Sequence, residues 1–444
     1  MSAPARIRNI LLVLSSVLCT LTVIQSAYCP DIYKRYSTQH SYCLGQCCNC
    51  TFYKRGVDPG LKGQILSLHN DLRNKVAAGH SYGVDHLPRA SNMLEMVWDD
   101  ELATIAQTWL DGCRKNGDCE ECRMVSRFAV GQEIIGDFIG SEMDSQDLDN
   151  EFFSRFNALS VFTDAHVREY SDSNGNHKTS QLLWAKTWRI GCGFLRFLDP
   201  NNGRAVVNIL LCNYGPGGCV EGEEVYKAGT VCSACPANTC CGDGCKKHKI
   251  TNSFKGLCKV IDENLPPQGN VPHVKSGKEL FYCGFNGESD CSRAVEGINR
   301  WIGKISTGGT WLSMDLGRGG HTSLTFEKPI KSKSGKLCLS ITTRTGPVDA
   351  SSRYTYELGG SMEETGRFLT TMVFPKADNK VKHRFHTDYF QPSEFPKNRD
   401  VKLTLSFSVP IDGQRQYIEI KRIVAMEKDC SKQTILEGSG YSVD

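Results

Sequence analysis

The sequence predicts an α+β chain in which a mixed helix-and-strand domain is followed by an all-β domain. Three observations carry that expectation. Apolar residues recur at helical spacing at Ile65, Leu68, Leu72 and Val76, and again at Leu102, Ile105, Ala106 and Trp109. Beyond residue 278, apolar and polar residues alternate with the strand period of two. Between the two regions lies NLPPQGNVPHVKSGK, whose composition is that of a linker. A length of 444 residues leaves room for two or three domains.

The chain opens with Arg6 and Arg8, an apolar run from Ile10 to Ile24, and the small pair Ser26-Ala27. That pattern predicts a signal peptide over residues 1–27 and hence a secreted protein. The run is short and broken by Ser15, Ser16 and Thr20, so no transmembrane anchor is expected. Formal net charge is +3, which gives no nucleic-acid footprint. The chain has 22 cysteines; Cys19 leaves with the signal, so 21 remain. Such density points to an oxidising, extracellular setting, and the odd number leaves one thiol free or bonded between molecules.

Residues 28–60 hold Cys29, Cys43, Cys47, Cys48 and Cys50 but little apolar periodicity, so disulfides must hold this segment. Asn49-Cys50-Thr51 is a glycosylation sequon, and a bonded middle cysteine would work against its use. A first helix is expected over about 61–76, with His69 and Arg73 on one face. As a pair they read as fold-holding rather than catalytic. A second helix is expected over about 99–111, capped by Asp99 or Asp100, with Trp98 packing before the cap. A third is expected near 147–159. The acidic stretch 137–151 lacks the spacing of a calcium loop and reads as solvated. Leu182–Trp184 and Val206–Leu211 read as buried strands, with hairpin punctuation at Asp199–Gly203. Cys192 and Cys212 then face each other and bond.

Four motifs now stand in order: His69-Asn70-Asp71-Leu72-Arg73, Gly131-Gln132-Glu133-Ile134, QLLWAKT with the following Gly191-Cys192-Gly193, and LLCNYGPGG. Together they resemble the CAP superfamily of cysteine-rich secretory proteins, insect venom allergens and plant pathogenesis-related proteins. The resemblance covers residues 61–222 and implies a CAP α-β-α sandwich. It also implies that 28–60 is the N-terminal clasp of the insect allergens, with Cys113 and Cys122 as its outside partners. One clasp cysteine is left over, and Cys119 is its expected partner. Cys219 replaces the family's Asn after Gly-Gly; it is expected to be the unpaired thiol or to bond the hinge.

Many CAP proteins place two histidines and two acids around one cleft, a set able to hold a divalent metal. Carried over position by position, the set is lost. The first histidine position falls at Gly117 or Cys119. The first acid becomes Gln132, with Glu133 beside it. The second acid becomes Arg155. The second histidine becomes Lys178, with His177 one place away. Positive charge at Arg155 and Lys178 opposes a cation, so no metal or other cofactor is expected. A hydrolase needs a nucleophile beside a base. Thr179 and Ser180 lie near His177 in sequence, but neighbouring strand residues point to opposite faces, so they make a poor case. No catalytic residue is assigned, and a non-enzymatic scaffold is expected.

Residues 223–262 add Cys232, Cys235, Cys240, Cys241, Cys245 and Cys258. A disulfide knot is expected over a zinc ribbon, and the segment resembles the cysteine-rich hinge that follows CAP domains. Residues 263–278 form the linker, where limited proteolysis should cut first. Residues 279–444 read as a β-sandwich, with strands at WLSMDL, SLTFEKPI, KLCLSITTR, FLTTMVF, VKLTLSFSV and QYIEIKRIVAM. Cys283 with Phe285, the Pro-Ile before GKLCLSI, and Ile418–Ile423 leading to Cys430 resemble a MAM domain, a jelly-roll adhesion module. The disulfides Cys283–Cys291 and Cys338–Cys430 are expected there. Tyr389 and Phe390 are candidates for a contact patch or for core. The expected function is extracellular binding of a protein or surface ligand. A lipid or sterol carrier, and a secreted protease or hydrolase, are the alternatives.

Overall fold

The computed structural model describes residues 29–430 except 35, 45–49, 80–83, 141–142, 200–204, 221, 265–266, 268–277, 286–292, 297–301, 307–308, 347–356, 365–366, 374–385, 393 and 413–414. The expected signal peptide, the Asn49 sequon, Cys47, Cys48, Cys291, the hairpin punctuation after Asp199 and most of the linker lie outside the described residues.

A short helix α1 (Asp31–Lys34) opens the clasp, and strand β1 (Phe52–Arg55) leads to helix α2 (Pro59–Ala78). The Asp58 carboxylate accepts from the Leu61 amide, Pro59 sits in the first turn, and Gly79 closes the helix at φ 64°. Strand β2 (Val97–Trp98) precedes α3 (Asp100–Leu110), which Asp99 caps as expected. Strand β3 (Gly131–Ile139) is followed by α4 (Ser145–Asn157), which starts at a capping box between Asp144 and Asp147. Two acids of the 137–151 stretch therefore serve the helix end. Helices α5 (Asp164–Arg168) and α6 (His177–Leu183) follow, then the hairpin strands β4 (Arg189–Leu198) and β5 (Val206–Gly215).

One element differs from expectation. Leu182 and Leu183 end helix α6, and Trp184 is its C-terminal cap, so this run is not a strand. A short apolar run fits either element, and tertiary partners decide. Here Arg73 takes the main-chain carbonyls of Leu182, Trp184, Ala185 and Thr187, the groups a neighbouring strand would need.

The strand order is β1-β4-β5-β3, with β2 parallel to β4. Cys192 lies opposite Cys212 in the β4–β5 register and is bonded to it. Gly191 and Gly193 flank that bond because α3 lies on the strand. A Cβ would stand 2.2 Å from the Ala103 nitrogen at Gly191 and 2.6 Å from the Gln107 nitrogen at Gly193. One sheet face packs on α3 through Ala106, Leu110, Leu195, Phe197 and Ile209. The other carries the larger core, from Ile65 and Leu72 of α2 through Phe152 of α4 to Phe194 and Leu210. The result is the expected three-layer α-β-α sandwich.

The clasp closes by Cys29–Cys43 and by Cys50–Cys113. Cys119 bonds Cys122, which overturns both the expected Cys119–clasp bond and the clasp bond to Cys122. A 3-10 turn at Glu120–Arg123, with the Cys122 amide 2.9 Å from the Cys119 carbonyl, brings the two sulfurs together. Closing so short a loop sacrifices far less chain entropy than reaching the clasp. The hinge holds Cys232–Cys241, Cys235–Cys258 and Cys240–Cys245, with a two-stranded ladder of β6 (Thr239–Cys240) and β7 (Lys259–Val260).

The C-terminal region is a sandwich of two antiparallel sheets. In the first, β10 (Ile302–Ser306), β11 (Gly309–Leu316), β18 (Gln416–Met426), β13 (Cys338–Gly346) and β16 (His386–Phe390) run in that order, and β8 (Glu279–Cys283) also pairs β18. The second runs β15 (Arg367–Val373), β14 (Glu357–Glu364), β17 (Lys402–Ser408), β12 (His321–Phe326), β9 (Arg293–Glu296). Leu312, Ile341 and Ile420 of the first face Leu324, Leu405 and Phe407 of the second in one core. Cys338–Cys430 is formed as expected, and Cys283 is disulfide-bonded. Phe390 packs against this core, and Tyr389 is half-buried.

The outer face of the first sheet is buried too. Tyr417 meets Tyr36 of the clasp edge-on, at 5.5 Å between ring centroids, and Met124 completes the cluster. Beside it Arg344 pairs with Glu419, both wholly buried, and the guanidinium lies 5.3 Å from the Trp311 ring centre. The clasp therefore joins the two domains by direct packing.

Candidate functional site

The cleft residues are positioned by α2, β3, α4, α6 and the turn after β5. His69 and Arg73, four apart on α2, point into the interior. The His69 Nδ1 donates to the Ile65 carbonyl at 2.8 Å, and burial lowers its pKa to about 3. The ring is therefore neutral, so its Nε2 accepts from the Tyr214 hydroxyl at 2.9 Å. Arg73 has no carboxylate partner among the described residues. Its guanidinium donates to the carbonyls of Leu94, Leu182, Trp184, Ala185 and Thr187, and burial lowers its pKa to about 9. Both side chains are fully committed to the scaffold.

On β3, neighbouring residues face opposite sides. Gln132 turns away from the cleft; it donates to Asn213 Oδ1 and accepts from the Asp118 amide, each at 2.9 Å. Glu133 turns into it. Arg155 of α4 reaches the Ile134 carbonyl at 2.9 Å and pairs with Glu151. Its charge adds to that of Arg73 in holding His69 neutral. Lys178 is exposed at the start of α6.

His177 and Cys219 complete the cleft. His177 Nδ1 lies 2.6 Å from Glu133 Oε1, an approach that the strand reading of this segment concealed. The helical turn swings the ring toward β3. The Cys219 thiol lies 3.3 Å from the His177 carbonyl and also hydrogen-bonds the imidazole. These two contacts, first Cys219 and then Glu133, raise the His177 pKa to about 10. Tyr170 approaches from the other side, bonded to Asp172 at 3.0 Å and to Cys219; burial and these partners raise its pKa. Cys219 is buried and outside every disulfide among the described residues, the first of the two fates expected for it. It stands at φ 58°, a backbone region where Asn or Gly is at ease.

The set does not fit a metal. Cys119 is in a disulfide, Gln132 faces away, Arg155 adds positive charge, and the one ring nitrogen aimed at Glu133 is engaged with it. Elsewhere Cys232, Cys235 and Cys241 cluster with ligand-like spacing, but each is in a disulfide and offers no thiolate. A second feature is a groove of about 830 Å³ beside α2 and α3, lined by Val57, Leu66, Trp98 and Ala103, with Lys62 among its walls. Sequence reading gave no sign of it, since its walls come from five separate elements, β1, α2, β2, α3 and β4.

Comparison with known proteins follows the same lines. The model of the cysteine-rich secretory protein family, CAP, matches residues 66–214. A venom allergen 5 of Lycosa singoriensis is 63% identical over 322 residues, 72% of this chain and 85% of that protein. A venom allergen 5 of Tityus serrulatus is 33% identical over 426 residues, 95% of this chain and 98% of its own, so the match runs through the C-terminal domain. A CRISP/Allergen/PR-1 protein of Trittame loki is 34% identical over 406 residues, 90% of this chain and 95% of that protein.

Proposed function

The chain belongs to the CAP family of cysteine-rich secretory proteins, among its venom allergen 5 relatives, and from that premise we propose that it is a secreted, non-catalytic protein acting by extracellular binding. The observation that carries this reading is the state of His177. Its pKa of about 10 leaves it a cation at neutral pH, clamped between Glu133 and Cys219. Both of its neighbours are buried in that clamp, so neither the thiol nor the carboxylate is presented to a substrate. His69 is neutral but sealed in the core, so it cannot meet a substrate. Disulfides throughout the described residues suit an oxidising exterior, and no described helix is long and apolar enough to cross a membrane. The C-terminal sandwich, with its MAM-like sequence features, acts in this reading as the adhesion module that attaches the protein to a partner or surface.

The test is an activity panel of peptide and ester substrates, run on the oxidised full chain and on His177→Ala, beside a crosslinking capture from the native fluid. No turnover above background and a captured extracellular partner are expected. Hydrolysis that disappears in His177→Ala would favour the enzyme reading instead. A lipid carrier is the second reading, favoured by the groove beside α2 and α3, where Val57, Leu66 and Trp98 offer apolar surface. Mass spectrometry of an organic extract decides it: a carrier releases a stoichiometric lipid.

A further inference from the structure

We propose that the hinge carries a docking face for a sulfated extracellular polysaccharide, formed by Lys246, Lys247, Lys249 and Lys255. Residues 242–255 contain these four lysines and a single acid, Asp243, a formal +3 that equals the net charge of the whole chain. The remainder is balanced, so the surplus is concentrated in one small unit. All four lysines are exposed, as is His248 among them.

The unit is compact. Lys246 lies 2.9 Å from Asp243, and Lys255 acts on the same carboxylate, holding it below its usual range after the larger effect of Lys246. The Lys255 carbonyl oxygen lies 3.2 Å from Cys241 Sγ, so the far end of the segment packs beside the start of the turn. The Lys246–Asp243 pair is exposed on both sides, so a stronger anion displaces it at little cost. The 3-10 helix Gly242–His248 is locked by Cys240–Cys245 and by Cys232–Cys241 just before it. Lys249 closes the helix in the left-handed region at φ 59°. The backbone needs little further ordering on binding, and the cost that remains is that of the lysine side chains.

The chemistry favours a sulfated chain over a membrane. Phe254, the aromatic neighbour, packs against the domain core and offers no apolar anchor. What remains is clustered positive charge on a rigid frame, suited to a dense, fully hydrated polyanion. The proposal uses the extracellular setting argued above but neither the cleft nor the sandwich, so its failure leaves that reading intact.

The experiment compares the oxidised full chain with Lys246→Gln/Lys247→Gln/Lys249→Gln/Lys255→Gln. A control, Lys331→Gln/Lys333→Gln/Lys397→Gln/Lys402→Gln, removes the same charge from exposed sites on the sandwich. Heparin is the probe, on a column and by surface binding at physiological salt; vesicles containing phosphatidylserine form the second arm. Circular dichroism verifies folding. The hinge variant is expected to lose about tenfold or more in heparin affinity, with the control close to the parent. Equal losses in the two variants, no heparin binding by the parent, or hinge-dependent binding to vesicles alone would each overturn the proposal.

Discussion

Glu133 and His177 meet at 2.6 Å across the cleft, one from the edge strand β3 and one from the first turn of α6. The carboxylate is buried, whereas the ring is about two-fifths exposed. The contact fixes a charge where solvent reaches, and its pH dependence follows from the sign of the shift. His177 is raised from its ordinary value near 6.5 to about 10 in the folded protein. Its stabilisation is therefore complete below about pH 6.5 and is lost as pH rises through about 10. Urea denaturation at pH 6 and pH 10 is expected to show the gap between the parent and Glu133→Gln narrowing at the alkaline end. A gap that widens there contradicts the assignment.

Arg73 is expected to be indispensable to the fold. Its removal leaves carbonyls of the loop after α6 buried without their donor. Arg73→Met should cost about 3 kcal/mol or more, the range for breaking a buried charged network. Chemical denaturation measures it; a loss under 1 kcal/mol would remove the anchoring role.

The thiol chemistry is checked by peptide mapping without reduction. Cys119–Cys122, Cys50–Cys113 and Cys192–Cys212 should appear as linked peptides. Cys219 should take an alkylating label after denaturation and resist it in the native state, since only 4% of the residue is exposed. A Cys219 peptide linked to the hinge would contradict the structure.

Tyr36 and Tyr417 join the clasp to the C-terminal sheet. A double-mutant cycle with Tyr36→Ala and Tyr417→Ala should give a coupling energy of about 0.5–1.5 kcal/mol, the range for edge-to-face rings. A coupling of zero would mean that the domains do not pack in solution as described.

Much of the fold was legible because its signals are local. The α2 and α3 periodicity, the Asp99 cap and the β4–β5 hairpin with its disulfide depend on neighbours in sequence. Helix α6 was misread because Leu182–Trp184 is too short to reveal a period, and Arg73 settles it from 109 residues away in the case of Leu182. The clasp connectivity was misassigned because cysteine spacing permits many pairings and the structure selects a local turn. The packing of the first sheet's outer face was not legible: Tyr417 meets Tyr36 of the clasp, about 380 residues away in sequence, a separation no periodicity encodes. The basic hinge run was hidden by a whole-chain charge that is nearly balanced.

The account rests most heavily on His177 being a cation at neutral pH. Its ring can be followed by NMR through a pH titration of the oxidised full chain, with His177→Asn identifying the signal. The account predicts that the ring stays protonated through pH 8 and titrates near 10. A midpoint near 6.5 would contradict it, because an imidazole with its ordinary pKa would be held by neither Cys219 nor Glu133, and the clamp across the cleft would be absent.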